Sequence, residues 1–146
     1  MRKLIPIIAM LTCLFLITTM PGLAVGDNQT NVVSNNSPIA KANGAKWRIG
    51  YCESESFITY TRTLVALVKG LEEIGWINHL EGFDQVAASD DSRSIWQWLA
   101  SREVSPYIEF VDDAFYNLRD PNLDQAAIIT RLNSNRDVDL MLVMGA

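Results

Sequence analysis

The stretch WRIGYCESESFITYTRTLVALVKGLEEIGW, residues 47–76, contains two different periodicities in succession. WRIGY, residues 47–51, is short and apolar enough for a buried strand. A stripe of apolar residues at helical spacing follows, with charged residues opposite it, and Gly75 is placed to end that helix. The stripe consists of Tyr60, Leu64, Leu67, Val68, Leu71 and Ile74. The stretch therefore predicts a strand followed by an amphipathic helix.

Strand and helix signals continue to alternate along the rest of the chain. After a loop to Asp91, residues 92–102 predict a short helix that Asp91 or Ser92 caps, with either Trp96 or Trp98 packed in the core. YIEFV, residues 107–111, predicts a second strand. A helix then opens at Asp120-Pro121-Asn122 and continues through Leu132, and VDLMLVM, residues 138–144, predicts a third strand covered on both faces.

This alternation predicts an α/β fold, a three-layer parallel sheet of β-α-β-α-β connectivity. We expect the strand order 2-1-3, with the first strand central. The two crossovers then leave the first strand in opposite directions, which creates a topological switch point. Ligands of open parallel sheets bind beyond the carboxyl ends of the strands at that point.

Composition excludes several function classes. The chain has 146 residues, of which 49% are hydrophobic, and a formal net charge of -5, which argues against nucleic acid or an anionic membrane surface as a partner. The chain has too few histidines and cysteines for a zinc or iron–sulfur site: one histidine, His79, and two cysteines, Cys13 and Cys52. We therefore expect no metal and no cofactor. We expect His79 to lie at the surface.

The first residues have the features of a secretory signal. Arg2 and Lys3 precede an apolar run shorter than a membrane span, and Gly22 and Ala24 match the small residues before a cleavage site. We expect a signal peptide over residues 1–24, cleavage after Ala24 and a periplasmic protein of net charge -7, with an uncleaved anchor as the alternative. Residues 25–46, rich in Asn, Ser and Gly, predict a flexible linker, so the domain spans 47–146.

The loop after the first strand, CESESFITYT at residues 52–61, is the predicted binding segment. It lacks the glycines of a phosphate-binding loop, but its hydroxyls and the N–H groups of the next helix can donate to a carboxylate. Glu53 and Glu55 can hold an amine, and Phe57 and Tyr60 can form an apolar wall. A small zwitterion such as an amino acid fits both charges. The predicted ligand-binding residues are Ser54, Ser56, Phe57, Tyr60 and Gly145.

Structural interpretations of the same loop stay open beside this one. Ser56 is equally suited to cap the following helix, and Tyr60 to pack in the core. The sequence also argues against catalysis by a nucleophilic cysteine or by a pair of carboxylates. Cys52 has no basic surroundings, and the adjacent Asp112 and Asp113 point apart on an extended backbone, so we expect no enzyme activity.

Two segments carry a resemblance to a known family. GYCESESFITY, residues 50–60, and DVDLMLVMG, residues 137–145, resemble the extracytoplasmic substrate-binding proteins of ABC importers, in the tryptophan- and tyrosine-binding branch. The resemblance implies part of one lobe of a type I periplasmic-binding-protein fold and an amino-acid-like ligand held between two lobes. It also implies an ABC permease as partner, through which alone the protein meets the membrane.

The resemblance covers only part of such a protein. It runs from Trp47 to the last residue, Ala146, where the relatives continue into a second lobe, so we expect the chain to be an N-terminal fragment. Where the relatives have glycines in the first loop, this chain has Ser54 and Glu55. The alternative function is an extracytoplasmic sensory module of a signalling system, which uses the same half-sheet to bind a ligand or a partner.

Overall fold

The computed structural model describes residues 37–145. The predicted signal peptide, the first part of the predicted linker and Ala146 lie outside the described residues. None of the described helices is long and apolar enough to cross a membrane. The elements, in chain order, are β1 Trp47–Glu53, α1 Ile58–Glu73, α2 Phe83–Ala87, α3 Ser92–Ala100, β2 Ile108–Asn117, α4 Gln125–Thr130, a single π turn Arg131–Asn135, and β3 Leu140–Met144.

The strands form one parallel sheet in the order β2-β1-β3. Trp47 lies opposite Ile108 on one side of β1, and Ile49 lies opposite Leu140 on the other. The predicted fold class, strand order and central position of the first strand are therefore confirmed. This architecture is consistent with part of one lobe of a larger α/β protein.

Apolar side chains on both faces of β1 make three layers, because alternate residues of a strand point to opposite faces. Tyr51 faces α1 and α3, and Cys52 faces the segment around α4. The first core contains Ile49, Tyr51, Leu64, Val68, Ile77, Phe83, Ile95, Trp96, Leu99, Val104, Ile108, Phe110 and Phe115. The second contains Cys52, Val111, Ala114, Tyr116 and Val138.

Strand β2 is longer than the predicted YIEFV strand. The register shifts between Ile49, which lies opposite Phe110, and Tyr51, which lies opposite Phe115. Gly50 is thus the one residue of β1 that faces residues 111–114 of β2. The irregularity leaves Asp112 and Asp113 exposed within the strand, so the prediction that they follow it was wrong. Such bulges keep a strand paired across residues that do not fit its alternation.

One helix begins later than predicted, and another was not predicted. Helix α4 starts at Gln125 because Asp124 accepts hydrogen bonds from the N–H groups of Ala126 and Ala127, at 2.9 and 3.1 Å. Residues 120–122 form a turn instead, in which the N–H of Asn122 donates to the Asp120 side chain. The predicted loop before Asp91 contains α2, which starts after Gly82 in the left-handed conformation.

Helix α3 has the predicted bounds to within two residues. The Asp91 carboxylate accepts from the N–H of Ser94 at 2.9 Å, so Asp91 is the cap. Trp96 is fully buried, and its Nε1 donates to the Val111 carbonyl at 2.9 Å. Trp98 is half-buried against Phe83, which confirms that only one of the two tryptophans lies in the core.

Strand β3 is less covered than predicted. Leu140 is 53% exposed and Val143 is 67% exposed, on opposite faces of the strand. The prediction of a strand covered on both faces was therefore wrong. The physical reason is that β3 pairs only with β1 among the described residues, so its apolar run lies at an edge of the sheet, where the predicted order 2-1-3 places it.

Residues 37–46, the last part of the predicted linker, contact the domain. The Ile39 carbonyl accepts from Trp47 Nε1 at 2.9 Å, and Lys41 pairs with Asp139 at 2.5 Å. Lys46 pairs with Glu103. These contacts hold the segment along the edge of the sheet where the strands begin.

Candidate functional site

The candidate site lies at the carboxyl edge of the sheet, where β1 meets α1. Strand β1 continues to Glu53, two residues past the predicted end, and α1 begins at Ile58. The predicted loop of ten residues is therefore only Ser54–Phe57. Tyr60 lies in the first turn of α1, not in the loop.

Three of the predicted binding residues meet at this edge. The hydroxyl oxygens of Ser54 and Tyr60 are 3.4 Å apart, and the N–H of Ser54 donates to the Met144 carbonyl at 3.0 Å. Gly145 lies against both, and a Cβ atom at this position would be 2.9 Å from Tyr60 Oη. Gly145 also has a φ of +103°, which side chains rarely allow. At the switch point, Gly145 therefore contacts Ser54 and Tyr60 so closely that the position requires glycine.

Phe57 and Tyr60 form an aromatic pair beside this contact. Their rings meet edge to face, with centroids 5.3 Å apart, and Phe57 is 51% exposed. Tyr60 is half-buried and belongs to neither core cluster. The interpretation of Tyr60 as a core residue was therefore wrong. The pair presents an accessible aromatic surface next to the Ser54 and Tyr60 hydroxyls.

The first turn of α1 has no side-chain cap. Phe57 occupies the cap position, and no acidic residue lies in the first turn. Ser56 does not cap the helix, contrary to the structural alternative. The N–H groups of a first turn carry a partial positive charge, so this helix end attracts an anion. A carboxylate is the kind of group that fits there.

Glu53 stabilises the loop through hydrogen bonds of its buried side chain. It is 1% exposed, and both its carboxylate oxygens accept hydrogen bonds. Oε2 accepts from Ser92 Oγ at 2.7 Å and Tyr51 Oη at 3.2 Å, and Oε1 accepts from Asn117 Nδ2 at 2.9 Å and Ser56 Oγ at 3.4 Å. Four donors match the acceptor capacity of an ionised carboxylate.

This network changes the roles expected for two residues. Glu53 is buried and its acceptor sites are occupied, so the expectation that it holds a ligand amine was wrong. Ser56 uses its proton on Glu53 and accepts from Asn117 Nδ2 at 2.9 Å. Ser56 therefore supports the loop. One of the Ser54 and Tyr60 hydroxyls donates to the other, so the proton of the accepting hydroxyl is the one available to a ligand.

Sequence reasoning missed Asn117 and Arg119, which also lie at this edge. The Arg119 N–H donates to Asn117 Oδ1 at 2.9 Å, and Arg119 Nε lies 3.7 Å from Glu55 Oε2. Asn117 ends the part of β2 that the sequence did not predict, and Arg119 follows it. The signal for them is the buried run Ala114–Tyr116 after the acidic pair, which continues the strand toward the site.

Burial alters the ionisable groups next to Glu53. Burial raises the pKa of the Tyr51 hydroxyl, and the Glu53 charge raises it further. The same two causes, in the same order, raise the pKa of the Cys52 thiol. Both groups therefore stay protonated at neutral pH, and Cys52, buried on the other face of β1, is a poor nucleophile.

Other places in the described part of the chain lack the features of a reactive site. No group of three or more His, Cys, Asp or Glu side chains within residues 37–145 is arranged to hold a metal ion. His79 is exposed, as predicted. A cavity of about 390 Å³ lies at the opposite edge of the sheet, lined by Trp47, Ile49, Leu71, Trp76, Ile108, Asp139 and Leu140. Its lining is almost wholly apolar.

Comparisons with known proteins do not add to this geometry. The chain matches no protein-family model, no curated protein and no solved structure.

Proposed function

We propose that the chain is a solute-binding component of an ABC import system, which works in the periplasm and delivers a small amino-acid-like ligand to an ABC permease. The binding role rests on the geometry of the carboxyl edge, and the import role rests on the resemblance of residues 50–60 and 137–145 to such proteins.

One observation carries the binding role. Ser54, Tyr60 and Gly145 meet where β1 and β3 end, at the uncapped first turn of a sixteen-residue helix. This is the position at which open parallel sheets bind ligands. The edge has hydroxyl and N–H donors for an anionic group and an exposed aromatic surface for an apolar one.

The geometry favours one orientation of an amino acid. Its carboxylate lies at the first turn of α1, where it accepts from the helix N–H groups and from the Ser54–Tyr60 hydroxyl pair. Its side chain lies along Phe57. Glu55, the exposed carboxylate of the loop, lies 3.7 Å from Arg119 Nε and can also accept from the ammonium group of the ligand. The described residues contact the ligand from one side only, so we expect a dissociation constant in the millimolar range.

A titration followed by NMR tests the binding role. Protein purified from cells that express the full chain is titrated with L-phenylalanine and with glycine. We expect L-phenylalanine to shift the amide signals of residues 54–60 and Gly145 in a saturable manner, and glycine to bind more weakly because it lacks the apolar group. We expect Phe57→Ala to weaken the binding of L-phenylalanine until it equals that of glycine. Unchanged signals in this region, with the fold intact, would overturn the proposal.

An uptake assay tests the import role. Cells in which the gene is deleted are compared with cells that carry the wild-type gene or the Phe57→Ala gene. We expect uptake of labelled L-phenylalanine at low external concentration to fall on deletion and to return only with the wild-type gene. Equal uptake by all three strains contradicts the import role and leaves the binding role to the titration.

A further inference from the structure

An ion pair spans the edge of the candidate site. Glu55 belongs to the loop between β1 and α1, and Arg119 follows the end of β2. Arg119 Nε and Glu55 Oε2 are 3.7 Å apart, and the side chains are 76% and 53% exposed, respectively. The pair therefore joins the two segments that border the site on the β2 side, and both charges are in contact with solvent.

Asn117 connects this pair to the loop. Its Oδ1 accepts from the Arg119 N–H at 2.9 Å, and its Nδ2 donates to Ser56 Oγ at 2.9 Å. Asn117 Nδ2 also donates to the buried Glu53. The backbone of Arg119 is thus held in a constant position relative to residues 54–57. Arg119 therefore stays at the site through its backbone, although its side chain is exposed.

The exposure of the pair makes it easy to exchange. Ion pairs between exposed side chains contribute little to stability, because water solvates each charge nearly as well. A ligand that brings one positive and one negative group can replace both members of the pair at once. A ligand with a single charge replaces one member and leaves the other without its partner.

We propose that Glu55 and Arg119 select a zwitterion by charge exchange, with the ligand ammonium taking the place of Arg119 on Glu55 and the ligand carboxylate taking the place of Glu55 on Arg119. This inference rests on the proposed binding function, and it adds Arg119 to the site as a residue that determines specificity. Arg119 and the first turn of α1 then act on the same carboxylate.

Three probes that share the phenylalanine side chain and differ in charge test the exchange. They are L-phenylalanine, which is a zwitterion, its amide, which is a cation, and its N-acetyl derivative, which is an anion. We expect the wild-type protein to bind the zwitterion more tightly than either analogue by about two- to fivefold, the factor that an exposed ion pair supplies. Dissociation constants come from the NMR titration of residues 54–60.

Two neutral variants reverse the preference in opposite directions. Glu55→Gln leaves Arg119 unpaired, so we expect the affinity of the N-acetyl derivative to rise relative to that of L-phenylalanine. Arg119→Gln leaves Glu55 unpaired, so the amide gains instead. Glu73→Gln and Arg136→Gln remove the same charges at exposed positions away from the site and keep the wild-type order of the three probes.

The outcomes distinguish a failure of the charge exchange from a failure of the proposed binding function. If L-phenylalanine binds but both site variants keep the wild-type order of probes, the charge exchange is wrong and the binding function stands. If none of the three probes shifts the signals of residues 54–60, both are overturned. Backbone spectra of each variant show that the fold is kept, which the exposure of both side chains leads us to expect.

Discussion

Ser92 Oγ donates a hydrogen bond to Glu53 Oε2 across 2.7 Å, which joins the first residue of α3 to the last residue of β1. Both residues are buried. The same carboxylate accepts from Asn117 at the end of β2 and from Ser56 in the loop before α1. A single buried side chain therefore connects four segments that converge on the candidate site.

Glu53→Gln is expected to lower the free energy of unfolding by about 1–3 kcal/mol, the cost of leaving buried donors unpaired. The amide keeps one acceptor oxygen and turns an N–H₂ group toward donors that had faced a carboxylate. Urea denaturation followed by circular dichroism measures the change. The exposed Glu81→Gln is the control and stays within experimental error of wild type. An equally small effect of Glu53→Gln would show that the network does not support the fold.

Gly145→Ala is expected to abolish the shifts that L-phenylalanine causes at residues 54–60. The φ of +103° and the 2.9 Å separation from Tyr60 Oη leave no room for a Cβ atom, so Gly145 and the Ser54 loop must move apart. NMR titration of the variant measures the loss. Binding equal to wild type would show that this contact is not part of the site.

Gly70→Ala is the matched change in a helix. Gly70 lies inside α1, and no heavy atom outside its own helix and chain neighbours lies within 4 Å of an added Cβ. We expect this variant to raise the free energy of unfolding by about 0.5–1 kcal/mol, because alanine loses less backbone entropy in a helix. L-phenylalanine binding stays unchanged, which urea denaturation and the same titration test together.

The meeting of Ser54 and Gly145 was predictable from sequence. Apolar runs and helix signals alternate clearly enough to give the strand order, and the carboxyl ends of neighbouring parallel strands lie at the same edge. Two residues 91 positions apart could thus be placed together without any local motif. That Gly145 admits no side chain depends on its positive φ and on its separation from Tyr60 Oη, which no sequence pattern indicates.

Asn117 and the role of Glu53 were not predictable in the same way. The adjacent acids Asp112 and Asp113 resemble the end of a strand, whereas β2 passes through them as a register shift and remains paired to β1. Charged residues are seldom fully buried, so Glu53 was assigned to the loop. Its four donors come from four separate segments, and no local pattern reveals such a convergence.

The Asp137–Arg131 pair predicts how stability depends on pH. Arg131 Nη2 lies 2.7 Å from Asp137 Oδ2, and this hydrogen bond lowers the pKa of Asp137 below its ordinary value of 3.8. A lowered pKa stabilises the fold fully above the ordinary value, and the contribution is lost as the pH falls through the folded value. We expect unfolding free energy to fall below about pH 4.

Asp137→Asn removes part of this dependence. The variant is less stable at neutral pH and loses less on acidification, because it no longer has that carboxylate to protonate. Urea denaturation between neutral pH and pH ~3 measures both effects, in the range where aspartate titrates. Asp112→Asn, at an exposed position, keeps the wild-type profile. A profile of Asp137→Asn parallel to wild type would contradict the assignment.

Export is expected to yield a protein that begins at Val25. The residues concerned lie outside the described part of the chain, so the prediction rests on sequence: two positive charges, a short apolar run, and small residues at positions 22 and 24. Amino-terminal sequencing of protein recovered from the periplasm tests it. Ala24→Arg places a large charged residue at the cleavage position and should slow processing, whereas Met1 at the amino terminus of the exported wild type would disprove cleavage.

The open side of β3 is expected to make the protein self-associate. Among the described residues β3 pairs only with β1, so its other edge has unpaired N–H and C=O groups, and Val143 and Leu140 are more than half exposed. Edges of this kind template pairing with another chain. Val143→Lys places a charge on the strand and should lower the association measured by light scattering from micromolar to millimolar protein. Ile129→Lys adds the same charge at an exposed position of α4 and should leave association unchanged. Equal effects of the two lysines would trace the change to net charge alone, and a wild-type monomer at every concentration would show that this edge does not pair.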